Sequence, residues 1–121
     1  MVISAPETPE TRHLIGAQEI ALLKPAACLI NIARGSLLDQ SALIAALQQK
    51  KIAGAALDVT DPEPPPPDDP LWKTPNLFIT PHTSAISDQL WPRETALLLD
   101  LLERWFDGRE LFNLINLHRG Y

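Results

Sequence analysis

The hydrophobic positions of this chain fall into four short, unbroken runs with amphipathic segments between them. Unbroken apolar runs of this length are typical of strands buried in a parallel sheet. Intervening segments with apolar residues at helical spacing indicate crossover helices. The pattern therefore predicts an α/β fold with a parallel sheet covered on both faces and strands at residues 2–4, 28–33, 53–59 and 77–80.

Proline, capping and leucine signals predict three helices. The first covers residues 17–23 and stops before Pro25, because proline disfavours helical geometry in the residue that precedes it. The second follows Asp39, a favourable N-cap residue. The third opens at Pro92, closes at Gly108 and carries an apolar stripe formed by Leu97, Leu98, Leu101, Leu102 and Trp105.

The organisation of the chain suggests a single core. Residues 61–70 contain so many prolines that an extended surface loop is predicted there. The first strand begins at residue 2 with no partner upstream, which leaves an exposed sheet edge. With 121 residues and 45% hydrophobic content, the chain can fill one core but not two. We therefore expect residues 1–121 to form one domain or part of one, with residues 92–121 as a C-terminal helix and tail.

Charge and hydropathy argue against two classes of partner. The net charge of -5 and the pI near 5.0 disfavour nucleic acid, whose binding depends on a basic field. No apolar stretch approaches the roughly 20 residues that cross a bilayer, and the opening MVISAPETPE lacks the features of a signal peptide. We expect a cytoplasmic protein that binds neither nucleic acid nor a membrane.

Three of the predicted strands are followed by residues that can do chemistry. Arg34 follows the second strand, Asp58 and then Glu63 follow the third, and His82 follows the fourth. In open α/β sheets the ligand crevice lies outside the carboxyl ends of the strands. A cation, two carboxylates and an imidazole are therefore predicted to converge on one site.

Taken singly, these residues have simpler interpretations. Arg34 can be a solvated residue after a strand, Asp58 a strand terminator, and Glu63 an ordinary surface charge in a proline-rich loop. His82 is better placed, because the preceding strand and proline fix its backbone.

Several ordered motifs resemble one enzyme family. The segments PETPETRHLI, LLKPAACLINIARGSLLD, IAGAALDVTDPEPPPPDDPLW and PNLFITPHTSA are similar, in order and spacing, to the C-terminal half of the NAD-binding domain of D-isomer-specific 2-hydroxyacid dehydrogenases. The stretches TPHTSAIS and INLHRGY look most like the glyoxylate/hydroxypyruvate reductase branch. The resemblance covers nearly the whole chain and implies half of a Rossmann-type doubly wound sheet, with about four parallel strands and flanking helices.

The resemblance implies a catalytic set of three residues. Arg34 would hold the substrate carboxylate and polarise the carbonyl group, since a guanidinium binds carboxylates bidentately. His82 would protonate the developing alkoxide, because imidazole exchanges protons near neutral pH. Glu63 would pair with His82 and favour its imidazolium form. The implied substrate is a small 2-oxo or 2-hydroxy acid.

The resemblance also implies NAD or NADP as cofactor. Asp58 would hold the carboxamide of the nicotinamide, and Ser84 and Ala85 would line the ring. The turn at Pro6 and Thr8 would touch the ribose side. The other residues expected at the cofactor are Ile32, Ala33, Arg34 and His82.

The remaining histidines, tryptophans and cysteine are given structural roles. His13 and His118 match no catalytic position of the family and are expected at the surface. Trp72 and Trp91 flank loops and are expected to serve packing. The single cysteine, Cys28, provides neither a disulfide framework nor a cysteine metal site and is expected to be a small buried hydrophobe.

The chain departs from the family in lacking the G-x-G-x-x-G turn that binds the dinucleotide pyrophosphate. The family's separate substrate domain is missing as well. We therefore expect a fragment of an oxidoreductase that transfers hydride between NAD(P)H and a 2-oxo acid such as glyoxylate or hydroxypyruvate, inactive in isolation.

A non-catalytic interpretation stays open. The chain can be a self-associating or interaction module, like the corepressors that share this fold, that uses its exposed strand edge for pairing. Retention of Arg34, Glu63 and His82 favours the enzymatic origin. In either case we expect a homodimer, because an open apolar edge invites association.

Overall fold

The computed structural model describes residues 1–118. The chain forms two compact units, residues 1–84 and residues 85 onward. The first unit contains β1 (Val2–Ile3), α1 (Ala17–Ala21), β2 (Cys28–Asn31), α2 (Gln40–Gln48), β3 (Gly54–Leu57) and β4 (Leu77–Ile79), with short 3-10 turns at Gly35–Leu37 and Pro70–Lys73. The second unit contains α3 (Leu90–Phe106).

The four strands form one parallel sheet in the order β1-β2-β3-β4, which confirms the predicted α/β class. Each strand is shorter than the apolar run that predicted it. β2 ends at Asn31 rather than at residue 33, because the Asn31 side chain bonds to the turn that follows. In the part of the chain described, β1 lies at the sheet edge with a partner on one side only.

One face of the sheet carries the core. Ile3, Asn31, Leu57 and Ile79 share a row across the four strands, and the first three are buried. Apolar side chains of α1, α2 and the loops pack against this face and include Ile20, Leu43, Leu47 and Leu71. Burial of these apolar side chains is the main favourable contribution to folding.

The opposite face of the sheet is open, so the prediction that both faces are covered is wrong there. Val2, Ile30, Ala56 and Phe78 form the adjacent row. Val2 and Phe78 are 57% and 66% exposed. Alternate residues of a strand point to opposite faces, and within residues 1–84 the helices α1 and α2 pack against the face that carries the core.

Cys28 is exposed, which corrects the expectation of a buried thiol. It is the first residue of β2 and precedes the fully buried Leu29. Successive side chains of a strand point to opposite faces, so Cys28 shares the open face with Ile30.

The helices begin and end close to their predicted limits. α2 starts after Asp39, whose Oδ1 accepts a hydrogen bond from the N–H of Ala42 at 3.0 Å. α1 is shorter than predicted and ends at Ala21. α3 begins at Leu90, before Pro92, which is tolerated because N–H groups of the first turn have no helical acceptor.

α3 is amphipathic, and none of its residues is buried. Its exposed apolar residues include Trp91, Leu98 and Trp105. The chain turns at Gly108, whose φ of 65° is the left-handed conformation that glycine adopts readily. Within residues 1–118, no helix has both the length and the apolar character needed to span a membrane.

Candidate active site

Arg34 lies in the turn that leaves the carboxyl end of β2. The buried Asn31 holds this turn: its Nδ2 donates to the carbonyl oxygen of Arg34 at 2.8 Å, and its Oδ1 accepts from the N–H of Ala33 at 3.0 Å. The exposed Arg34 guanidinium donates to the Ala33 carbonyl at 2.7 Å. Its fork has five N–H donors, so it retains the capacity to bind a carboxylate. Sequence reasoning missed Asn31, although a polar residue inside an apolar strand was an available signal.

Gly35 allows the Arg34 turn to lie directly against the chain that leaves β3. A Cβ on Gly35 would overlap the carbonyl group of Thr60 and lie 2.6 Å from the amide nitrogen of Asp61. Any other residue would push these two segments apart. Arg34 and Glu63 consequently line one cavity of about 240 Å³, together with Glu7, Arg12, Gly35, Ser36, Thr60 and Asp61.

Glu63 lies in the predicted proline-rich loop, and the start of that loop is fixed. Gln40 of α2 donates from Nε2 to the carbonyl oxygen of Asp61 at 2.5 Å and accepts from the Asp61 N–H through Oε1 at 3.1 Å. The Thr60 hydroxyl donates to the carbonyl oxygen of Pro62 at 2.9 Å. These bonds position Glu63 without regular secondary structure. Sequence reasoning did not anticipate the contribution of Gln40.

Glu63 and His82 form a hydrogen-bonded side-chain pair between two loops of the site. Oε1 of Glu63 lies 2.8 Å from Nδ1 of His82, with the two side chains 37% and 45% exposed. A carboxylate that accepts from Nδ1–H fixes the ring and leaves Nε2 to exchange a proton with a ligand. The structure therefore joins two of the three residues proposed from sequence as catalytic.

Asp58 is buried at the end of β3, and its carboxylate is surrounded by donors. Its Oδ1 accepts from the Thr80 hydroxyl at 2.5 Å and from the Thr83 N–H at 2.9 Å, and its Oδ2 accepts from the Ser84 N–H at 2.8 Å. Burial raises the pKa of this carboxyl, but the hydrogen bonds outweigh burial and hold the pKa well below its usual range. Asp58 is therefore charged at neutral pH.

A second, larger cavity is lined by Glu63 of this pair. Its volume is about 520 Å³, and its lining residues are Asp58, Thr60, Glu63, Pro64, Pro65, Trp72, Ile79, Thr80 and Pro81. Trp72 was expected to serve packing. It is exposed, lines this cavity, and donates from its indole nitrogen to the carbonyl oxygen of Pro66 at 2.8 Å. Thr60 and Glu63 line both cavities.

The residues expected on the nicotinamide side fall into three groups. Ile32 and Ala33 follow the carboxyl end of β2, and Ile32 is exposed. Ser84 donates its backbone N–H to Asp58. Ala85 is exposed and is the first residue of the second unit.

The turn containing Pro6 and Thr8 lies beside the Arg34 turn. The Ser36 hydroxyl donates to Oε1 of Glu7 at 2.5 Å, which connects the two segments. The N–H of Thr8 donates to the Thr11 hydroxyl at 2.8 Å, and that hydroxyl donates to the carbonyl oxygen of Pro6 at 2.9 Å. This turn is therefore stabilised by its own hydrogen bonds.

Three residues expected to lie outside the site are all exposed. His13 and His118 are both exposed, as expected. Trp91 belongs to α3 and is also exposed, so the expected packing role is wrong for it within the described structure.

The parallel sheet, with its functional groups at the carboxyl ends of β2, β3 and β4, defines the class of Rossmann-type α/β domains. Residues 1–84 match the family described as D-isomer specific 2-hydroxyacid dehydrogenase, NAD binding domain. The chain belongs to this family.

Individual relatives cover almost all of the chain. Glyoxylate/hydroxypyruvate reductase B of Pectobacterium carotovorum is 40% identical over 116 residues, which is 96% of this chain and 36% of that protein. D-3-phosphoglycerate dehydrogenase of Methanocaldococcus jannaschii is 38% identical over 117 residues, which is 97% of this chain and 22% of that protein.

One solved structure of a dehydrogenase is also similar over almost the whole chain. A D-isomer specific 2-hydroxyacid dehydrogenase from Xanthobacter autotrophicus, in complex with NADPH and MES, superposes with a TM-score of 0.88 at 39% identity. The match covers 99% of this chain and 49% of that chain. The chain thus spans less than half the length of each of these three proteins.

Proposed function

We propose that this chain provides the carboxylate-binding and proton-donating groups for the reduction of a small 2-oxo acid by NADH or NADPH. The observation that carries the proposal is the 2.8 Å contact between Oε1 of Glu63 and Nδ1 of His82, next to a cavity that Arg34 lines. In the reduction of a 2-oxo acid, an oriented imidazole can give the proton to the carbonyl oxygen, and a guanidinium can bind the carboxylate.

The residues have distinct roles in the proposed reaction. Arg34 binds the substrate carboxylate through its planar fork and places positive charge near the carbonyl oxygen. NADH or NADPH, when bound, would supply the hydride for the reduction. His82, as the imidazolium, gives its Nε2 proton to the carbonyl oxygen, which becomes the hydroxyl of the product. Glu63 accepts from Nδ1–H and stabilises the imidazolium before transfer.

The site fits the nicotinamide end of the cofactor. The Asp58 carboxylate accepts from Thr80, Thr83 and Ser84, and as a charged acceptor at the carboxyl end of β3 it is the group that would receive a carboxamide N–H. The exposed Ile32 and the adjacent Ala33 provide an apolar wall at the end of β2. The chain has no G-x-G-x-x-G turn for the pyrophosphate, so these residues would hold only one end of NAD or NADP.

The names of relatives suggest the substrate. Glyoxylate and hydroxypyruvate are supported by the relative that is 40% identical, and a phosphorylated 2-hydroxy acid is the alternative suggested by the phosphoglycerate dehydrogenase. We assign residues 1–121 to one partial NAD(P)-binding domain, since both alignments continue past residue 84. Because the chain spans less than half of each relative, we propose that it has little turnover alone.

Self-association is the second candidate function. The open edge of β1 and the exposed apolar residues of α3 favour it, since such surfaces associate readily. A homodimer is the proposed state, and the cytoplasmic location stays a prediction. Light scattering over a range of concentrations tests the dimer, and a monodisperse monomer would count against it.

The enzymatic proposal is tested with a chimaera. In the chimaera, this chain replaces the matching segment of the Pectobacterium carotovorum reductase. The reductase then supplies the remaining two-thirds of the enzyme. A folded chimaera should oxidise NADH or NADPH when glyoxylate or hydroxypyruvate is added. A folded chimaera without such oxidation would contradict the proposal. Calorimetric titration of the 121-residue chain with both cofactors should show no tight binding.

A further inference from the structure

We propose that Asp58 is a positioning residue that fixes the turn carrying His82 and thereby determines where the imidazole meets Glu63. The role rests on the proposed function of His82, and it differs from the contact with nicotinamide that the family resemblance implies for Asp58. The turn concerned, residues 81–84, is called the His82 turn below.

One side chain and one carbonyl group of Asp58 account for four hydrogen bonds around His82. The carboxylate accepts from the Thr80 hydroxyl on one side of the histidine and from the N–H groups of Thr83 and Ser84 on the other. The Asp58 carbonyl oxygen accepts from the N–H of His82 itself at 2.9 Å. Thr80, His82, Thr83 and Ser84 each donate a hydrogen bond to Asp58. Pro81, which lies between them, has no N–H to donate.

The His82 turn has few other sources of order. All four of its residues are exposed, so apolar burial contributes little to its conformation. The backbone of His82 has a φ of 53°, a left-handed conformation that most residues adopt at a cost. A turn that is exposed and held in a disfavoured conformation needs specific hydrogen bonds, and Asp58 accepts them.

Asp58 is itself firmly placed. Its side chain and backbone together are 5% exposed, and its N–H donates to the carbonyl oxygen of Asn31 at 2.9 Å, continuing the pairing of β2 with β3. Hydrogen bonds to a charged acceptor in such a poorly solvated position are stronger than those between neutral groups. The position of the sheet is therefore transmitted to the His82 turn through the carboxylate and the carbonyl group of Asp58.

The test compares Asp58→Asn with Asp39→Asn in the 15N-labelled 121-residue chain. Asp39 is the matched control, because its carboxylate likewise accepts from a hydroxyl, Ser41, and from a backbone N–H, Ala42. Asparagine at position 58 has only one acceptor oxygen, and its N–H₂ group would face an N–H or O–H donor in place of the second carboxylate oxygen. The readouts are hydrogen exchange of the Thr83 and Ser84 amides and the 15N chemical shift of His82 Nδ1.

We expect exchange of the Thr83 and Ser84 amides to become at least about tenfold faster in Asp58→Asn, the factor that corresponds to one charge-assisted hydrogen bond. The His82 Nδ1 shift should change as its contact with Glu63 loosens. Asp39→Asn should leave the two exchange rates and the His82 Nδ1 shift unchanged when both variants are compared at the same free energy of unfolding. If the two variants give the same exchange rates and the same His82 shift, the proposal is wrong.

A second variant covers the case in which Asp58→Asn does not fold. Thr80→Val removes one donor to Asp58 and leaves the carboxylate and both turn amides in place. We expect exchange of Thr83 and Ser84 to accelerate about threefold, as for loss of a single modest hydrogen bond, and unchanged exchange would overturn the proposal. None of these readouts needs turnover, so they separate the positioning role from the proposed reaction.

Discussion

Oε1 of Glu63 lies 2.8 Å from Nδ1 of His82, although 19 positions separate the two residues in the chain. Glu63 comes from an irregular proline-rich loop and His82 from a turn after β4. Two unrelated segments meet here because β3 and β4 are neighbours in a parallel sheet, so the chain leaves both strands at the same edge.

This contact predicts the effect of removing the charge of Glu63. Glu63→Gln keeps a hydrogen-bond acceptor near Nδ1 but no longer stabilises the imidazolium, so we expect kcat of the chimaera to fall about 10- to 100-fold. Steady-state assays with glyoxylate provide the measurement. An unchanged kcat in a folded Glu63→Gln chimaera would show that the pair has no part in proton transfer.

Arg34 should act mainly through substrate binding. Arg34→Lys keeps the charge but loses the bidentate fork, so we expect kcat/KM to fall about 100-fold, with a further loss in Arg34→Ala. Arg12 is the matched control, because it lines the same cavity and is exposed. Arg12→Lys should change kcat/KM by less than about threefold, since an exposed ion pair such as that with Asp61 contributes little. Equal losses in the two variants would argue against a specific role for Arg34.

Gly35 should be required for stability. Gly35→Ala introduces a Cβ that overlaps the Thr60 carbonyl group, so we expect the free energy of unfolding to fall by about 1–3 kcal/mol or more. Gly16→Ala is the control, because its Cβ would meet the nearest atom at an ordinary 3.5 Å, and we expect it to cost less than about 1 kcal/mol. Urea unfolding followed by circular dichroism measures both. A smaller loss for Gly35→Ala than for Gly16→Ala would contradict the close approach of the two segments.

Asp58 predicts a pH dependence of stability. Burial opposes ionisation, but the bonds from Thr80, Thr83 and Ser84 hold the pKa of the Asp58 carboxyl below its usual value of 3.8. Because the pKa is lower in the folded than in the unfolded chain, the charged form contributes stability that is fully present above about pH 5 and is lost as the pH falls through the folded-state pKa.

The stability difference between the wild-type chain and Asp58→Asn should therefore be constant between about pH 7 and pH 5 and should shrink below about pH 4. Urea unfolding of both proteins at several pH values measures this difference. A difference that keeps its full size at about pH 3 would show that the carboxylate is not held by these donors.

The parallel sheet and its four strands could be predicted from sequence because each strand produces its own apolar run. The strand ends could not, since they depend on side chains that bond to the following turn. Asn31 illustrates this, because it lies within an apolar run yet ends β2 by binding Ala33 and Arg34. Exposure of the second sheet face was also missed, because an apolar run does not reveal which of its two sides meets a helix.

The residues of the candidate site could likewise be identified from sequence only in part. Arg34, Glu63 and His82 were identified from their positions after strands and from the family resemblance. Gly35 and Gln40 were not, because their roles arise from contacts with residues 60 and 61, which are distant in sequence. A single sequence does not show which distant segments approach so closely that only glycine fits.

The most direct test of the proposed function is the rate of NADPH oxidation with glyoxylate by the chimaera carrying His82→Asn. The matched control is His13→Asn, since both histidines are exposed and have left-handed backbones with φ of 53° and 52°, a conformation that asparagine tolerates. We expect His82→Asn to lower kcat at least about 100-fold and His13→Asn to leave it unchanged. Equal rates for the two folded variants would contradict the assignment of His82 as the proton donor.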